Sequence, residues 1–242
     1  MTQPNWLTEA LAVCPLDEAT AGYCYGRGVK DEFLANEGVK TWQPTATPVP
    51  EEHFTKAYGA HGERLAGYMA CPMWSPKGTL IGCEFRTTMG NKNIQDYRLP
   101  NTRWAPFFLG MKQAMPKVWA GGSVWIVEGL FDLAPLDWVI PKTDAVLATV
   151  RAKLSDQHVA FLRRFMVKGA WVHMCYDKDE TGRKATVGWN DAETGKRRYG
   201  ALEALQRVGL PCRDVPYSGG KDPGELWDAG GIKAIRKMFA PD

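Results

Sequence analysis

Between Ser123 and Trp227 the chain repeats a pattern that few folds accommodate. Short apolar runs without clean alternation, at 123–128, 144–149, 170–176 and 212–217, are separated by longer stretches with helical spacing. Such runs read as strands buried on both faces. Strands alternating with helices predict a parallel sheet with right-handed crossovers. The helices are expected near 130–138, 155–168 and 180–208, with short ones after Pro223 and Gly231, and 186–199 reads as a loop inserted into the last long helix. Two of the runs stop at acids. Glu128 ends the first, and Asp132 falls four residues later on one face of the following helix. Asp177 and Asp179 end the third, where positions i and i+2 share a direction. Ligands of open α/β sheets collect outside the carboxyl ends of the strands. The chemistry of the chain is therefore expected there.

Carboxylates gathered without histidine or cysteine favour a hard cation, and Mg²⁺ or Mn²⁺ is the usual choice where phosphates complete the shell. Gly129 and Gly182 let the backbone turn tightly beside the acids. Each string alone is short and common. Two in order, each at a strand end and separated by strand–helix spacing, indicate a metal site.

Glu128-Gly129 and Asp177-x-Asp179 resemble the glutamate and DxD motifs of a Toprim domain, the acidic α/β fold of primases, topoisomerases and some nucleases. Asp222, in Gly-Lys-Asp-Pro, resembles a later acidic position of the DnaG-type primases; where those often carry a further aspartate, this chain has Gly224 followed by Glu225. Residues 179–185 are similar to the primase version of the motif, including that of phage primase–helicases. The N-terminal half extends the resemblance. Residues 21–42 are similar to the opening of the primase core, with Arg27 at its arginine. Phe85-Arg86 matches the end of a hairpin, which makes Arg86 a candidate phosphate contact. Asp96-Tyr97-Arg98-Leu99-Pro100-Asn101 resembles a Lys-Tyr-x-Asn string, so Tyr97 and Arg98 are candidate nucleotide or template contacts.

The remaining sequence sets boundaries. The formal net charge of +3 and the 24% of charged residues describe an ordinary globular chain, so a nucleic-acid surface must be local. No apolar run approaches the roughly 20 residues of a membrane span, and the N-terminus lacks a secretory pattern, so a cytoplasmic protein is expected. The six cysteines form no CxxC pair, so no zinc ribbon is expected, and the four histidines read as structural or surface residues. Residues 7–13 suggest a helix. Residues 30–36 suggest another, closed by Gly38. Residues 44–66, with three prolines, read as a connector or an insertion rather than a motif. Two runs flanking Ser-Pro-Lys-Gly (75–78) read as a hairpin. Residues 89–120 interleave cations (Lys92, Arg98, Arg103, Lys112, Lys117) with rings (Tyr97, Trp104, Phe107, Phe108), a mixture suited to single-stranded nucleic acid.

The expected fold is α/β: an α+β N-terminal subdomain over 1–120, a Toprim-type parallel sheet flanked by helices over 121–228, and a C-terminal helix or the start of another domain over 229–242. The resemblance implies a nucleotidyltransferase that makes short RNA primers on single-stranded DNA. Glu128, Asp177 and Asp179 would be catalytic, and these three with Asp132 and Asp222 would hold two Mg²⁺ or Mn²⁺ ions, without zinc. Arg27, Arg86, Tyr97 and Arg98 would contact nucleotide or template. The implied partners are single-stranded DNA, NTPs and a replicative helicase, in trans or as a further domain, with no membrane. The zinc-binding and helical domains that usually flank such cores have no room in this chain. A Toprim-type nuclease and a non-catalytic nucleic-acid-binding module are the alternatives.

Overall fold

A computed structural model describes residues 6–44, 51–88, 93–100, 102, 106–151 and 153–238. Three short helices open the chain: α1 (Trp6–Val13), α2 (Glu18–Gly26), capped by the Asp17 carboxylate, and α3 (Asp31–Glu37). α3 ends at Gly38, whose φ of 75° forms the expected left-handed cap. Strand β1 (Lys40–Thr41) follows, then helix α4 (Glu52–Tyr58) and a 3₁₀ turn (Ala60–Leu65). These two elements correct the reading of 44–66 as a connector. The reason is Phe54, which is fully buried and packs on Trp6, Trp42 and Tyr97 with ring centroids 4.8, 5.7 and 4.9 Å away. One buried aromatic can order a short segment whose local propensity is weak.

The expected hairpin is β2 (Met69–Trp74) and β3 (Leu80–Arg86), closed at 75–78. Strand β4 (Ile94–Arg98), unforeseen, pairs with β3 and completes an antiparallel sheet in the order β1-β2-β3-β4. The sheet is buried on both faces. Ala70, Cys83 and Phe85 join Trp6, Trp42, Phe54 and Tyr97 in an aromatic core, while Met69, Cys71 and Met73 face the second half of the chain.

After α5 (Met111–Trp119) come β5 (Val124–Val127), α6 (Leu130–Leu136), β6 (Ala145–Ala148), α7 (Asp156–Phe165), β7 (Val172–Met174) and α8 (Glu180–Val187). The segment read as an inserted loop contains a small hairpin, β8 (Trp189–Asn190) and β9 (Arg197–Arg198). Helix α9 (Ala201–Arg207), strand β10 (Cys212–Asp214) and helix α10 (Pro223–Lys237) finish the fold, with α10 broken at Gly230 and Gly231. The four long-range strands form a parallel sheet in the order β10-β7-β5-β6. Val124 and Ile126 point to a core shared with α5, α7 and α9; Trp125 and Val127 point to the other, shared with α6, α10 and the antiparallel sheet. That second core runs without interruption from Cys24 to Met238. No helix among the described residues is long and apolar enough to cross a membrane.

Candidate metal and nucleotide site

Strand order locates the site. From β5 the chain crosses to β6 on one side, then returns past β5 to β7 on the other. The connections therefore leave in opposite directions above the carboxyl ends of β5 and β7, which opens a crevice at that point. Glu128 follows β5 and Asp177 lies three residues past the end of β7. The Asp177 amide donates to Glu128 Oε1 at 3.2 Å, tying the two strand ends together.

Three acids converge there. Asp132, Asp177 and Asp222 each place a carboxylate oxygen within 4.8 Å of the others, all half-buried. Asp132 sits in the first turn of α6, where its Oδ2 accepts from the Gly129 amide at 3.1 Å and its Oδ1 from the Gly224 amide at 3.3 Å. Asp222 caps α10 by accepting from the Glu225 amide at 2.6 Å. Two helix N-termini thus aim partial positive charge at the cluster. Gly224 has a steric reason. A Cβ there would lie 2.8 Å from the Phe131 carbonyl and 3.2 Å from both Asp132 and Asp222, so the aspartate seen in similar primases has no space in this arrangement.

Asp179 stands outside the triad. It caps α8, accepting from the Gly182 amide at 2.9 Å. Gly182 is equally constrained, since a Cβ would overlap the Asp177 carbonyl. The link between Asp179 and the cluster is Lys221, whose Nζ lies 2.7 Å from Asp177 Oδ2 and 3.1 Å from Asp179 Oδ2. Its loop is held by the Lys178 amide, which donates to the Lys221 carbonyl at 2.8 Å, and by the Tyr217 hydroxyl, which donates to the same carbonyl at 3.0 Å. Lys221 was missed in the sequence, although it adjoins Asp222. Nothing local shows that its ammonium reaches back to the strand end after β7.

The electrostatics follow from the crowding. Glu128 is pushed up to about 7, first by burial and then by the charge of Asp177. Asp132 is raised well above the carboxylate range by burial, then by Asp222 and Asp177. Asp177 is raised by burial in spite of Lys221. Asp179 is lowered, chiefly by the Gly182 amide. A cluster that holds more negative charge than its surroundings tolerate, with oxygen donors only, fits a hard divalent cation. Lys221 already shows that a cation is attracted there.

The predicted basic contacts separate into two groups. Arg86 and Arg27 lie beside the cluster: both guanidinium groups rest on the Phe131 ring, 4.7 and 5.6 Å from its centroid, next to Asp132. Arg27 also pairs with Asp228 at 3.4 Å. Its loop is clamped by two tryptophans, with Trp227 Nε1 donating to Gly26 O at 3.1 Å and Trp138 Nε1 donating to Gly28 O at 2.8 Å. Tyr97 corrects the expectation of a nucleotide contact. Only 4% of it is exposed, its ring is part of the aromatic core, and its hydroxyl donates to Glu51 at 2.9 Å. Arg98 lies over Phe107 at 4.4 Å, away from the triad. Phe107 and Phe108 are buried, Lys112 covers Trp74 and Lys117 pairs with Asp137, so these members of the basic–aromatic stretch serve packing and ion pairing. Lys92, Arg103 and Trp104 lie outside the described residues.

Residues 125–227 match the family model described as Toprim-like. A DNA primase of Staphylococcus aureus (strain MSSA476) is 23% identical over 199 residues, covering 78% of this chain and 29% of the relative; the chain thus spans under a third of that protein. The RNA polymerase domain of Mycobacterium tuberculosis primase DnaG, in complex with a double-stranded DNA oligomer carrying a 6-nucleotide overhang, superposes with a TM-score of 0.64 at 17% identity, over 96% of this chain and 77% of that one. The primase fragment of the bacteriophage T7 primase-helicase protein gives a TM-score of 0.56 at 16% identity, over 89% and 73%. At such identities the structural likeness establishes the fold. Residues 125–227 are thus similar to the Toprim-like family, and the chain shares the fold of the DnaG-type primase catalytic cores.

Proposed function

We propose that the chain is the catalytic core of a DNA primase, joining NTPs into short RNA primers on single-stranded DNA. The observation that supports this most is the convergence of Asp132, Asp177 and Asp222 at the switch point, with Glu128 behind them and Arg27 and Arg86 at the side. The three aspartates, backed by Glu128, would hold Mg²⁺ or Mn²⁺, and Asp179 would join through the position that Lys221 now bridges. When bound, the metal supplies charge neutralisation at the triphosphate and lowers the pKa of the attacking 3′-hydroxyl.

The protein's own groups do the positioning. The α6 and α10 N-termini fix Asp132 and Asp222 through backbone amides, so neither carboxylate has to reorganise during the reaction. Arg86 and Arg27, held against Phe131, supply fixed cations for phosphate oxygens approaching from the N-terminal half. Lys221 balances part of the cluster's charge. A helicase partner fits the likeness to the T7 fragment.

The test is incubation with single-stranded DNA, labelled NTPs and Mg²⁺, with products separated by size. Short new oligomers that require NTPs are expected. Cleavage of the template without synthesis would overturn the reading in favour of a Toprim-type nuclease.

A further inference from the structure

A groove of about 1180 Å³ runs between α7, α8, α9 and the β8–β9 hairpin. Five cations line it: Lys153, Arg163, Arg164, Lys184 and Arg207, against one acid, Asp156. Lys184 is paired with Glu180 at 2.6 Å and Arg207 with Glu203 at 3.1 Å. Lys153, Arg163 and Arg164 form no salt bridge among the described residues, and all three are exposed. Two rings complete the lining. Trp189 is 38% exposed and Tyr199 53%, and the Arg207 guanidinium rests on the Tyr199 ring at 3.6 Å. Both rings open onto the same groove as Lys153, Arg163 and Arg164.

The groove is built into the fold. The hairpin's two ends are pinched together by glycines: a Cβ on Gly188 would lie 2.7 Å from the Gly200 nitrogen, and one on Gly200 would lie 2.6 Å from Val187 C. Gly188 also donates to the Lys184 carbonyl at 2.8 Å, and Arg197 donates to the Val187 carbonyl at 2.8 Å. The hairpin cations Arg197 and Arg198 are paired with Glu203 and Asp191. Thr181, in the first turn of α8, lines the groove two residues after the cap Asp179, and the groove shares none of the acidic site's carboxylates.

We propose that this groove is a second binding site, for single-stranded nucleic acid, with phosphates against Lys153, Arg163 and Arg164 and bases stacked on Trp189 and Tyr199. Cations tracking a backbone beside sequence-indifferent aromatic platforms are what such strands require. The choice of a nucleic-acid ligand rests on the reading of the acidic site. The groove's own prediction concerns binding, so it succeeds or fails independently of primer synthesis.

Fluorescence anisotropy with labelled 12-mers of DNA and of RNA of one sequence tests it on the full chain, with thermal midpoints as a folding control. Arg163→Ala/Arg164→Ala is expected to weaken binding about tenfold and to flatten the log–log salt slope by about 1.4, from roughly 0.7 per phosphate on a single strand. Trp189→Ala and Tyr199→Ala are expected to cost at least about fivefold each with the slope unchanged, because stacking releases no counterions. A larger loss with DNA assigns the template to the groove, and a larger loss with RNA assigns the product. An arginine effect without a ring effect would overturn the proposal, leaving general surface electrostatics. So would ring variants that alter only self-association in sedimentation, which would make the face a contact between copies of the chain.

Discussion

Both halves of the molecule carry residues whose types suggest chemistry, yet the fold treats them differently. In the parallel-sheet half, Glu128, Asp132, Asp177 and Asp222 come from three separate segments and meet within one crevice. In the N-terminal half, Tyr97, Phe107, Phe108, Lys112 and Lys117 lie close in sequence and disperse into three separate cores, a ring cover and an ion pair. A parallel sheet brings every strand's carboxyl end to the same edge, so an acid at a strand end has its destination set by topology. A mixture of rings and cations carries no such address, because burial of rings is also the main source of core stability.

The comparison breaks most sharply on the two aspartates of the DxD string. Asp177→Ala is expected to abolish primer synthesis while raising the thermal midpoint in metal-free buffer, since its carboxylate is disfavoured where it stands. Asp179→Ala is expected to abolish or cripple synthesis and lower the midpoint, because it removes the α8 cap, a loss of about 1 kcal/mol. A midpoint that rises for both variants would mean that Asp179 belongs to the crowded cluster after all.

Gly224→Asp comes next. It restores the acid seen in similar primases, yet the space holds the Phe131 carbonyl. The variant is expected to lose stability by about 1–3 kcal/mol, in the range for overpacking. Denaturant unfolding reads this directly, and an unchanged midpoint with enhanced metal binding would show that the α6–α10 contact yields easily.

The smallest effect concerns Glu84, which with Glu37 is a buried acid of the N-terminal half. It lies fully buried beside Arg86 at 3.6 Å and is pushed up to about 7 by burial. A carboxyl whose folded pKa exceeds its unfolded one binds more protons folded than unfolded. Its presence therefore costs stability progressively as pH rises from about 4.5 through about 7. His158 and His173, held down to about 4 by burial, act in the opposite sense: their contribution is present at neutral pH and is lost as pH falls from 6.5 through about 4. Glu84→Gln is expected to raise the thermal midpoint at pH 8 by a few degrees, at about 2–4 °C per kcal/mol. The gain should shrink toward pH 5, where the wild-type group is already neutral. A gain that stays constant across this range would assign it to packing rather than charge.

Much of this protein was determined by sequence alone, and the physical reason is locality. Buried strands, helix stops and glycine turns are written in neighbouring residues, so the four parallel strands, the break in α10, the Gly38 cap and the acids at two strand ends were all legible. Gly182 and Gly224 showed their place in the motifs but not their purpose, which is the close approach of other backbone. Only the tertiary structure decided which cations stand beside the acids. Lys221 reaches back to Asp177, and Arg27 and Arg86 share the Phe131 ring, while Arg98 lies on Phe107. It also decided that Phe54 would order residues 52–65 and that Tyr97 would be covered. Those outcomes depend on which surfaces are close-packed against one another, and packing joins residues far apart in the chain whose individual types do not reveal that they will meet.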